Sequence, residues 1–258
     1  MNLINFNNVK SAFASYAGAK PFDHVVIDDF FNPGIAERLE SEFPDYNDSQ
    51  WFVYRNAIED KKAQPNWNLF PAFTYQTFRY LNSDEFVNKM EDLTGLSLYP
   101  DPGLHGAGWH IHSTGGKLNP HLDYNIHPKL GLQRVLNIIM YMTPEFDEAW
   151  GGHFGLWNSS QGQPDQLLKE VAPKFNRAII FNTTQNSWHG LSRPLAQPQG
   201  IYRKSLAIYY LTDPPINTDP RGRALFAPTE NQKNDSEVLE IIRLRSDLHT
   251  SKDVYVKK

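Results

Sequence analysis

The chain of 258 residues contains no cysteine. This absence excludes disulfide bonds, cysteine-ligated zinc, iron–sulfur clusters and a thiol nucleophile, so any metal must be held by histidine and carboxylate side chains. The sequence also lacks a run of about 18 apolar residues, so it predicts no membrane span. Residues 1–20 do not have the layout of a signal peptide, and we therefore expect a cytoplasmic protein.

An excess of positive charge is missing as well. The 25 Lys and Arg residues stand against 29 Asp and Glu residues, which gives a formal net charge of −4. A mildly acidic chain without a basic block is a poor non-specific ligand of nucleic acid, so we expect no nucleic-acid partner. What the chain does have is 40% hydrophobic and 13% aromatic residues, which is typical of a globular protein with a β-rich core or an aromatic-lined pocket.

The first hundred residues carry mostly helical signals. Residues 1–20 are interpreted as a loosely organised lead-in, and residues 24–31 as a short strand rich in β-branched and aromatic side chains. Apolar residues at helical spacing predict a helix over residues 35–43, which a proline ends. The same spacing predicts a second helical region within residues 64–99.

From about residue 100 the pattern changes, because short apolar runs alternate with glycine, proline and asparagine. Such a pattern predicts several short strands, arranged as a sandwich or barrel. The polar tail after residue 212 contains one short predicted helix, near residues 236–244. The candidate strands cover residues 135–142, 153–157, 177–182 and 205–211.

A candidate metal site begins at His121-Leu122-Asp123. Residues i and i+2 of an extended chain point to the same side, so this stretch presents an imidazole and a carboxylate together. His189 follows a candidate strand and a short polar turn, and it is the best candidate for a third ligand. Two histidines and one carboxylate on one face of a metal are the ligand pattern of non-haem Fe(II) oxygenases.

A candidate anion anchor lies fourteen residues beyond His189. Arg203 and Ser205 share one face of the last candidate strand, and Lys204 points to the opposite face. An arginine beside a hydroxyl inside a barrel can bind one end of a dicarboxylate through two parallel hydrogen bonds.

Residues 121–211 resemble the 2-oxoglutarate- and Fe(II)-dependent oxygenase superfamily, in its prolyl-4-hydroxylase-like branch. The matching segments occur in order, and no single one is specific by itself. The separation between His189 and Arg203 is longer than in many relatives, because residues 191–202 form an extra loop. The segments are His121-Leu122-Asp123, RVLNIIMYM at 134–142, the Gly151-Gly152 turn, Ser187-Trp188-His189-Gly190 and Arg203-Lys204-Ser205-Leu206.

The resemblance implies a mainly β (α+β) protein, with a double-stranded β-helix (jelly roll) core and N-terminal helices packed outside it. The whole chain, 1–258, is then one oxygenase domain. Its N-terminal strand and helical support span residues 1–100, its β core with the metal site spans residues 101–212, and a C-terminal extension spans residues 213–258.

The resemblance also implies the cofactors and their ligands. Iron binds His121, Asp123 and His189, and 2-oxoglutarate binds Arg203 with Tyr141 and Ser205 beside it. The expected reaction is hydroxylation of a C–H bond of a small molecule, an amino acid or a prolyl or peptidyl substrate. O₂ is consumed and 2-oxoglutarate is converted to succinate and CO₂, with ascorbate as a candidate reductant. The retained carboxylate ligand favours hydroxylation over halogenation.

Two alternative functions stay open at this point. His110 and His112 lie two residues apart and resemble the histidine pairs with which some zinc hydrolases bind metal. A β-barrel binding module without catalytic activity is the other alternative. The Arg203 anchor argues against the hydrolase, and the intact His121, Asp123 and His189 set argues against the inactive module.

Overall fold

The computed structural model describes residues 2–255 of the chain. It contains five α-helices, namely α1 (Phe6–Phe13), α2 (Ile35–Ser41), α3 (Ala72–Leu81), α4 (Asp84–Thr94) and α5 (Ser236–Ser246). The strands are β1 (His24–Ile27), β2 (Phe52–Arg55), β3 (Glu59–Gln64), β4 (Tyr99–Pro100), β5 (Gly108–His112), β6 (Lys117–Leu118), β7 (His121–Leu122), β8 (Gln133–Tyr141), β9 (Phe154–Ser160), β10 (Gln163–Val171), β11 (Ala178–Asn182), β12 (His189–Leu191), β13 (Arg203–Thr212) and β14 (Leu225–Phe226).

The strands form two antiparallel sheets. The major sheet has nine strands in the order β1-β11-β8-β13-β5-β3-β2, with β4 beside β13 and β6 beside β3. The minor sheet has five strands in the order β10-β9-β12-β7-β14. Neighbouring strands come from distant parts of the sequence, as in a jelly roll. The prediction of a mainly β jelly-roll protein with a few outer helices is confirmed.

Alternation along the central strands separates two buried faces of the major sheet. Leu136, Ile138 and Met140 of β8 belong to the main hydrophobic core, which they share with α1 to α4. Tyr141, at the end of β8, lies on the barrel side in a smaller cluster with Phe154 and Phe181. Because successive side chains of a strand point to opposite faces, β8 serves both the helical layer and the barrel interior.

The helices end where local sequence signals predict. The Ser83 side chain accepts a hydrogen bond from the backbone of Phe86 at the start of α4, and Gly95 ends that helix with a φ of +72°. Asp235 caps α5 in the same way as Ser83 caps α4. These residues satisfy backbone groups that the ends of a helix leave without partners.

Within residues 2–255, no helix has both the length and the apolar character needed to cross a bilayer.

Some local predictions were wrong. The lead-in of residues 1–20 contains α1, which buries Val9 and Phe13 and is capped by the Asn5 side chain. The strands β3 and β10 were not predicted, because charged and polar side chains dominate them and hide the apolar alternation. The four-residue strand β2 was not predicted either. The predicted strands over 135–142, 177–182 and 205–211 correspond to β8, β11 and β13.

Candidate metal centre and adjoining cavity

Pairing of two short strands brings the candidate ligands together. His189 of β12 lies directly opposite His121 of β7 in the minor sheet, and their ring centroids are 4.4 Å apart. Asp123 follows β7 immediately, with its carboxylate 3.8 Å from His121 Nε2 and 3.4 Å from His189 Nε2. The structure therefore brings together three predicted residues that are 68 positions apart at most in the sequence.

Hydrogen bonds set the tautomer of both histidines. His121 Nδ1 lies 3.0 Å from the carbonyl oxygen of Asn119, and His189 Nδ1 lies 2.8 Å from that of Ser187. A carbonyl oxygen only accepts, so each Nδ1 carries the proton and each Nε2 keeps its lone pair. Burial and the nearby His189 hold the pKa of His121 well below its usual range, which keeps this imidazole neutral.

Two residues of β8 hold the carboxylate of Asp123. Asn137 donates a hydrogen bond of 2.7 Å to Asp123 Oδ2, and Arg134 forms an ion pair of 3.2 Å with the same oxygen. Arg134 also donates to the Asn137 side chain at 2.8 Å and packs on the ring of Tyr209. Burial raises the pKa of Asp123, but the positive charge of Arg134 outweighs that effect and holds the pKa well below its usual range.

This donor set fits a divalent transition metal. Two ligands at right angles, each about 2.1 Å from a metal, lie roughly 3 Å apart, close to the distances between Asp123 and the two Nε2 atoms. Two imidazoles and one carboxylate can occupy one face of iron and leave the other positions open. Among residues 2–255, only His121, Asp123 and His189 bring three ligand atoms within 4.8 Å of one another.

The predicted anchor residues lie deeper in the barrel. Arg203 is 3% exposed, donates from Nε to the carbonyl of Gly152 at 2.8 Å, and lies over the ring of Tyr141. Ser205 is the direct partner of Tyr141 in the pairing of β13 with β8, and it is buried too. Lys204 points the other way and pairs with Glu40 at 2.6 Å, outside the barrel. Arg203, Tyr141 and Ser205 are therefore neighbours, and Lys204 is separate from them.

Buried polar atoms at this deeper end have no partner. Within residues 2–255, the Tyr141 hydroxyl and both ring nitrogens of His112 are buried without a hydrogen bond. His112 lies directly opposite Arg203 in the pairing of β5 with β13. Unpaired buried polar groups are costly and uncommon, so this end of the barrel is suited to a ligand that brings hydrogen-bonding oxygen atoms.

The extra loop of residues 191–202 covers the Arg203 end. Its Leu195 is 2% exposed, and its backbone carbonyl accepts a hydrogen bond from Gly115. Gly152 has a φ of +66°, and a Cβ atom there would lie 2.4 Å from Leu195 and 3.0 Å from Arg203. The Gly151-Gly152 turn therefore allows the loop to pack tightly against the arginine and keep water away from it.

The candidate metal ligands open onto a cavity of about 420 Å³. Its walls come from the barrel strands and from the segment that follows β13, including Arg223, Arg245 and Tyr255. Phe226 stacks on the ring of His121 at 5.0 Å and forms part of the same wall. The C-terminal extension, interpreted from sequence only as a polar tail, thus closes one side of the cavity.

The histidine pair of the hydrolase alternative does not form a metal site of its own. His110 lines the cavity and contacts the carbonyl of Gly106, while His112 lies beside Arg203. No third ligand joins them among the residues that the structure describes. Burial lowers the pKa of His110 to about 3, so this imidazole is neutral near pH 7.

Several residues of the site were missed in the sequence. Long-range pairing of strands brings four such residues to the candidate ligands or to the cavity. They are Lys61, Arg134, Asn137 and Phe226. The alternation of β8 predicts that Asn137 shares the inward face with Tyr141, but no role at the site was predicted for it. For the others no short-range signal exists.

Comparison with known proteins agrees with this geometry. The model of the 2OG-Fe(II) oxygenase superfamily matches residues 107–212, a segment that contains His121, Asp123, His189 and Arg203. This segment of the chain is therefore similar to enzymes that use Fe(II) and 2-oxoglutarate.

The curated relatives are prolyl hydroxylases. Prolyl 3-hydroxylase OGFOD1 of Mus musculus is 26% identical over 212 residues, which is 78% of this chain and 35% of that protein. The Xenopus laevis protein of the same name is 24% identical over 225 residues, covering 82% of this chain and 40% of that protein. The chain thus spans little more than a third of the length of these relatives.

Solved structures share the fold. A prolyl-4-hydroxylase from Pseudomonas putida has a TM-score of 0.55 at 13% identity, covering 80% of this chain and all of that one. Prolyl 4-hydroxylases from Phytophthora capsici give a TM-score of 0.53 at 19% identity, covering 93% of this chain and 74% of that one. At these identities, the similarity supports the jelly-roll fold of this chain.

Proposed function

We propose that this protein is an Fe(II)- and 2-oxoglutarate-dependent dioxygenase that hydroxylates a C–H bond of an organic substrate. The observation that carries the proposal is the cluster of His121, Asp123 and His189. Both Nε2 lone pairs and a hydrogen-bonded carboxylate converge there at the wall of a cavity. Such an arrangement suits a metal that keeps open positions for a co-substrate and O₂.

The three clustered residues would hold Fe(II). When bound with 2-oxoglutarate, the iron supplies the oxidation chemistry: one oxygen atom of O₂ enters the substrate as hydroxyl, and the other enters succinate as CO₂ leaves. Asn137 and Arg134 would keep Asp123 ionised and oriented by hydrogen bonding and charge. Outer-shell partners of this kind raise metal affinity.

Arg203, Tyr141 and Ser205 would bind the distal carboxylate of 2-oxoglutarate. Arg203 uses Nε for the Gly152 carbonyl, so its terminal nitrogens remain for two carboxylate oxygens. The Tyr141 hydroxyl, buried without a partner, would donate a further hydrogen bond. The 191–202 loop would exclude water from this ion pair, which strengthens it.

The substrate class is part of the proposal. The curated relatives are named prolyl 3-hydroxylases, and a prolyl ring, a free amino acid or another small molecule each offer an aliphatic C–H bond. The cavity next to the ligands has room for a group of that size, because small-molecule sites start at about 300 Å³. Partners are therefore O₂ and one organic substrate.

Release of succinate tests the proposed activity. Purified protein with Fe(II), ascorbate and 2-oxoglutarate in air should form succinate and CO₂ in equal amounts, slowly alone and faster with a substrate. His189→Ala should abolish the reaction, whereas replacement of the surface residue His249 should not change it. Succinate formation that persists in His189→Ala, or that needs no Fe(II), would contradict the proposal.

A further inference from the structure

The wall of the cavity that faces the metal ligands is rich in cations. Lys61, Arg134, Arg223, Arg245 and Lys252 line the cavity, whereas Asp123 is its only acidic lining residue among residues 2–255. Asp123 offsets Arg134, with which it is paired. The remaining cations have little negative charge to balance them, although the whole chain carries a net charge of −4.

One buried acidic residue, Glu59, contacts the cations of this wall but does not line the cavity itself. Glu59 is fully buried, and its Oε1 accepts hydrogen bonds from Arg245 at 2.9 Å and from the Tyr255 hydroxyl. Lys61 on the same face of β3 reaches only within 3.8 Å of Glu59 Oε2, which is beyond hydrogen-bond distance. The carboxylate of Glu59 is thus already hydrogen-bonded to Arg245, and it balances the positive charge of Lys61 only weakly.

Arg223 has even less compensation. Within residues 2–255, no carboxylate lies within 4.0 Å of its guanidinium, and its Nε is buried without a hydrogen-bond partner. Lys61 and Arg223 both line the cavity, and so does Tyr54, whose ring centroid is 5.4 Å from Lys61 Nζ. Two incompletely paired cations therefore line the same cavity, which is costly unless an anion joins them.

The part of the cavity wall that carries these cations adjoins the candidate metal site. The guanidinium of Arg245 lies 5.4 Å from the centre of the Phe226 ring, and that ring stacks on His121. One aromatic ring thus separates the ion pair of Glu59 and Arg245 from a metal ligand. A group bound by Lys61 and Arg223 would hold the rest of a small molecule close to the reactive position.

We propose that Lys61 and Arg223 bind a carboxylate of the substrate, and that the substrate is a small carboxylic acid such as a free amino acid. The proposal rests on the proposed dioxygenase function. Iron and 2-oxoglutarate bring opposite charges that offset each other, so the excess positive charge remains for the substrate. An internal residue of a polypeptide has no carboxylate on its backbone, and the C-terminal segment closes the cavity beside Arg245 and Tyr255.

The test is calorimetric binding to protein loaded with Mn(II) and 2-oxoglutarate, which does not turn over. The probes are the free proteinogenic amino acids, the matching carboxamides, and a short peptide with an internal proline. We expect at least one amino acid to bind at least tenfold more tightly than its carboxamide and than the peptide. Lys61→Met and Arg223→Met should each weaken that binding at least tenfold.

A matched control lies next to Lys61 on the opposite face of β3. Lys62 donates to the carbonyl of Tyr46 at 2.6 Å, so Lys62→Met should leave the binding of the amino acid unchanged. Mn(II) and 2-oxoglutarate should bind normally to all three variants, which shows that each is folded.

Two outcomes separate this inference from the proposed function. If the wild type binds Mn(II) and 2-oxoglutarate but no amino acid better than its carboxamide, or if both cavity variants bind like the wild type, the carboxylate site is wrong. If the wild type does not bind Mn(II) and 2-oxoglutarate, the dioxygenase proposal fails, and the carboxylate site fails with it.

Discussion

The two ends of the barrel interior use the same strands but differ in how their buried polar atoms are partnered. At the metal end, the Nδ1 atoms of His121 and His189 and the Asp123 carboxylate all have protein partners. At the Arg203 end, the Tyr141 hydroxyl has none within residues 2–255.

This difference indicates two ways of preparing a site. The metal end is preorganised by the chain itself, because the Nδ1 atom of each histidine and the Asp123 carboxylate already have protein partners and the Nε2 lone pairs stay free. The Arg203 end holds its side chains in place but, among the residues that the structure describes, lacks hydrogen-bond acceptors for them, which a ligand must bring. Substitutions at the two ends should therefore have different effects on folding and on binding.

The largest expected effect is loss of the carboxylate ligand. Asp123→Ala removes one of three ligands and leaves Arg134 buried without its ion pair, so Fe(II) affinity should fall at least a hundredfold. Anaerobic calorimetry with Fe(II) measures this directly. Asp165→Ala on the exposed strand β10 is the control and should bind like the wild type. Equal affinity of Asp123→Ala and the control would remove Asp123 from the metal site.

Next in size is the loss of the anchor at the other end. Arg203→Gln should weaken 2-oxoglutarate binding about ten- to hundredfold, since a hydrogen-bonded charge pair contributes about 1.5–3 kcal/mol. Its Fe(II) affinity should stay unchanged. Lys204→Gln is the matched control, because Lys204 pairs with Glu40 outside the barrel and should not affect either ligand. A larger loss of 2-oxoglutarate affinity in Lys204→Gln than in Arg203→Gln would show that Arg203 is not the anchor.

A smaller effect is expected for the residue that orients the metal carboxylate. Asn137→Leu removes the hydrogen bonds to Asp123 and from Arg134, so Fe(II) affinity should fall about tenfold. The free energy of unfolding without metal should also fall, by about 1–3 kcal/mol, because buried groups lose their partner. Urea unfolding and Fe(II) titration check both numbers, and unchanged values would mean that Asn137 does not support Asp123.

The smallest expected effect is an increase in stability, whereas the substitution of Asn137 should decrease it. Tyr141→Phe deletes a buried hydroxyl that has no partner, so the free energy of unfolding without ligands should rise by about 1 kcal/mol. The same change should weaken 2-oxoglutarate binding severalfold. Urea unfolding with and without 2-oxoglutarate measures both. A loss of stability without ligands would show that the hydroxyl is already satisfied by the protein.

Local patterns predicted much of the fold and the centre of the site. The strands β8, β11 and β13 have continuous apolar runs, which identify them because they are buried on both faces. The spacing of His121 and Asp123 predicted that both side chains point to one side, and the ion-pair distance agrees.

The parts that could not be predicted depend on contacts between distant segments. β3 reads as a polar stretch, yet Glu59 is fully buried because Arg245 and Tyr255 from the far end of the chain compensate it. Arg134 is buried as well, and its partners, Asp123 and Tyr209, also come from other segments of the chain. α1 could have been found from the Asn5 cap and from the helical spacing of Val9 and Phe13.

The most direct test of the two binding sites in the barrel is an anaerobic titration of the apoprotein with Fe(II) and then 2-oxoglutarate, followed by visible absorption. We predict a weak charge-transfer band that needs both ligands, is absent in Asp123→Ala, and requires far more 2-oxoglutarate in Arg203→Gln. A wild-type protein that forms no band, but binds Zn(II) tightly through His110 and His112, would contradict the assignment of both ends of the barrel.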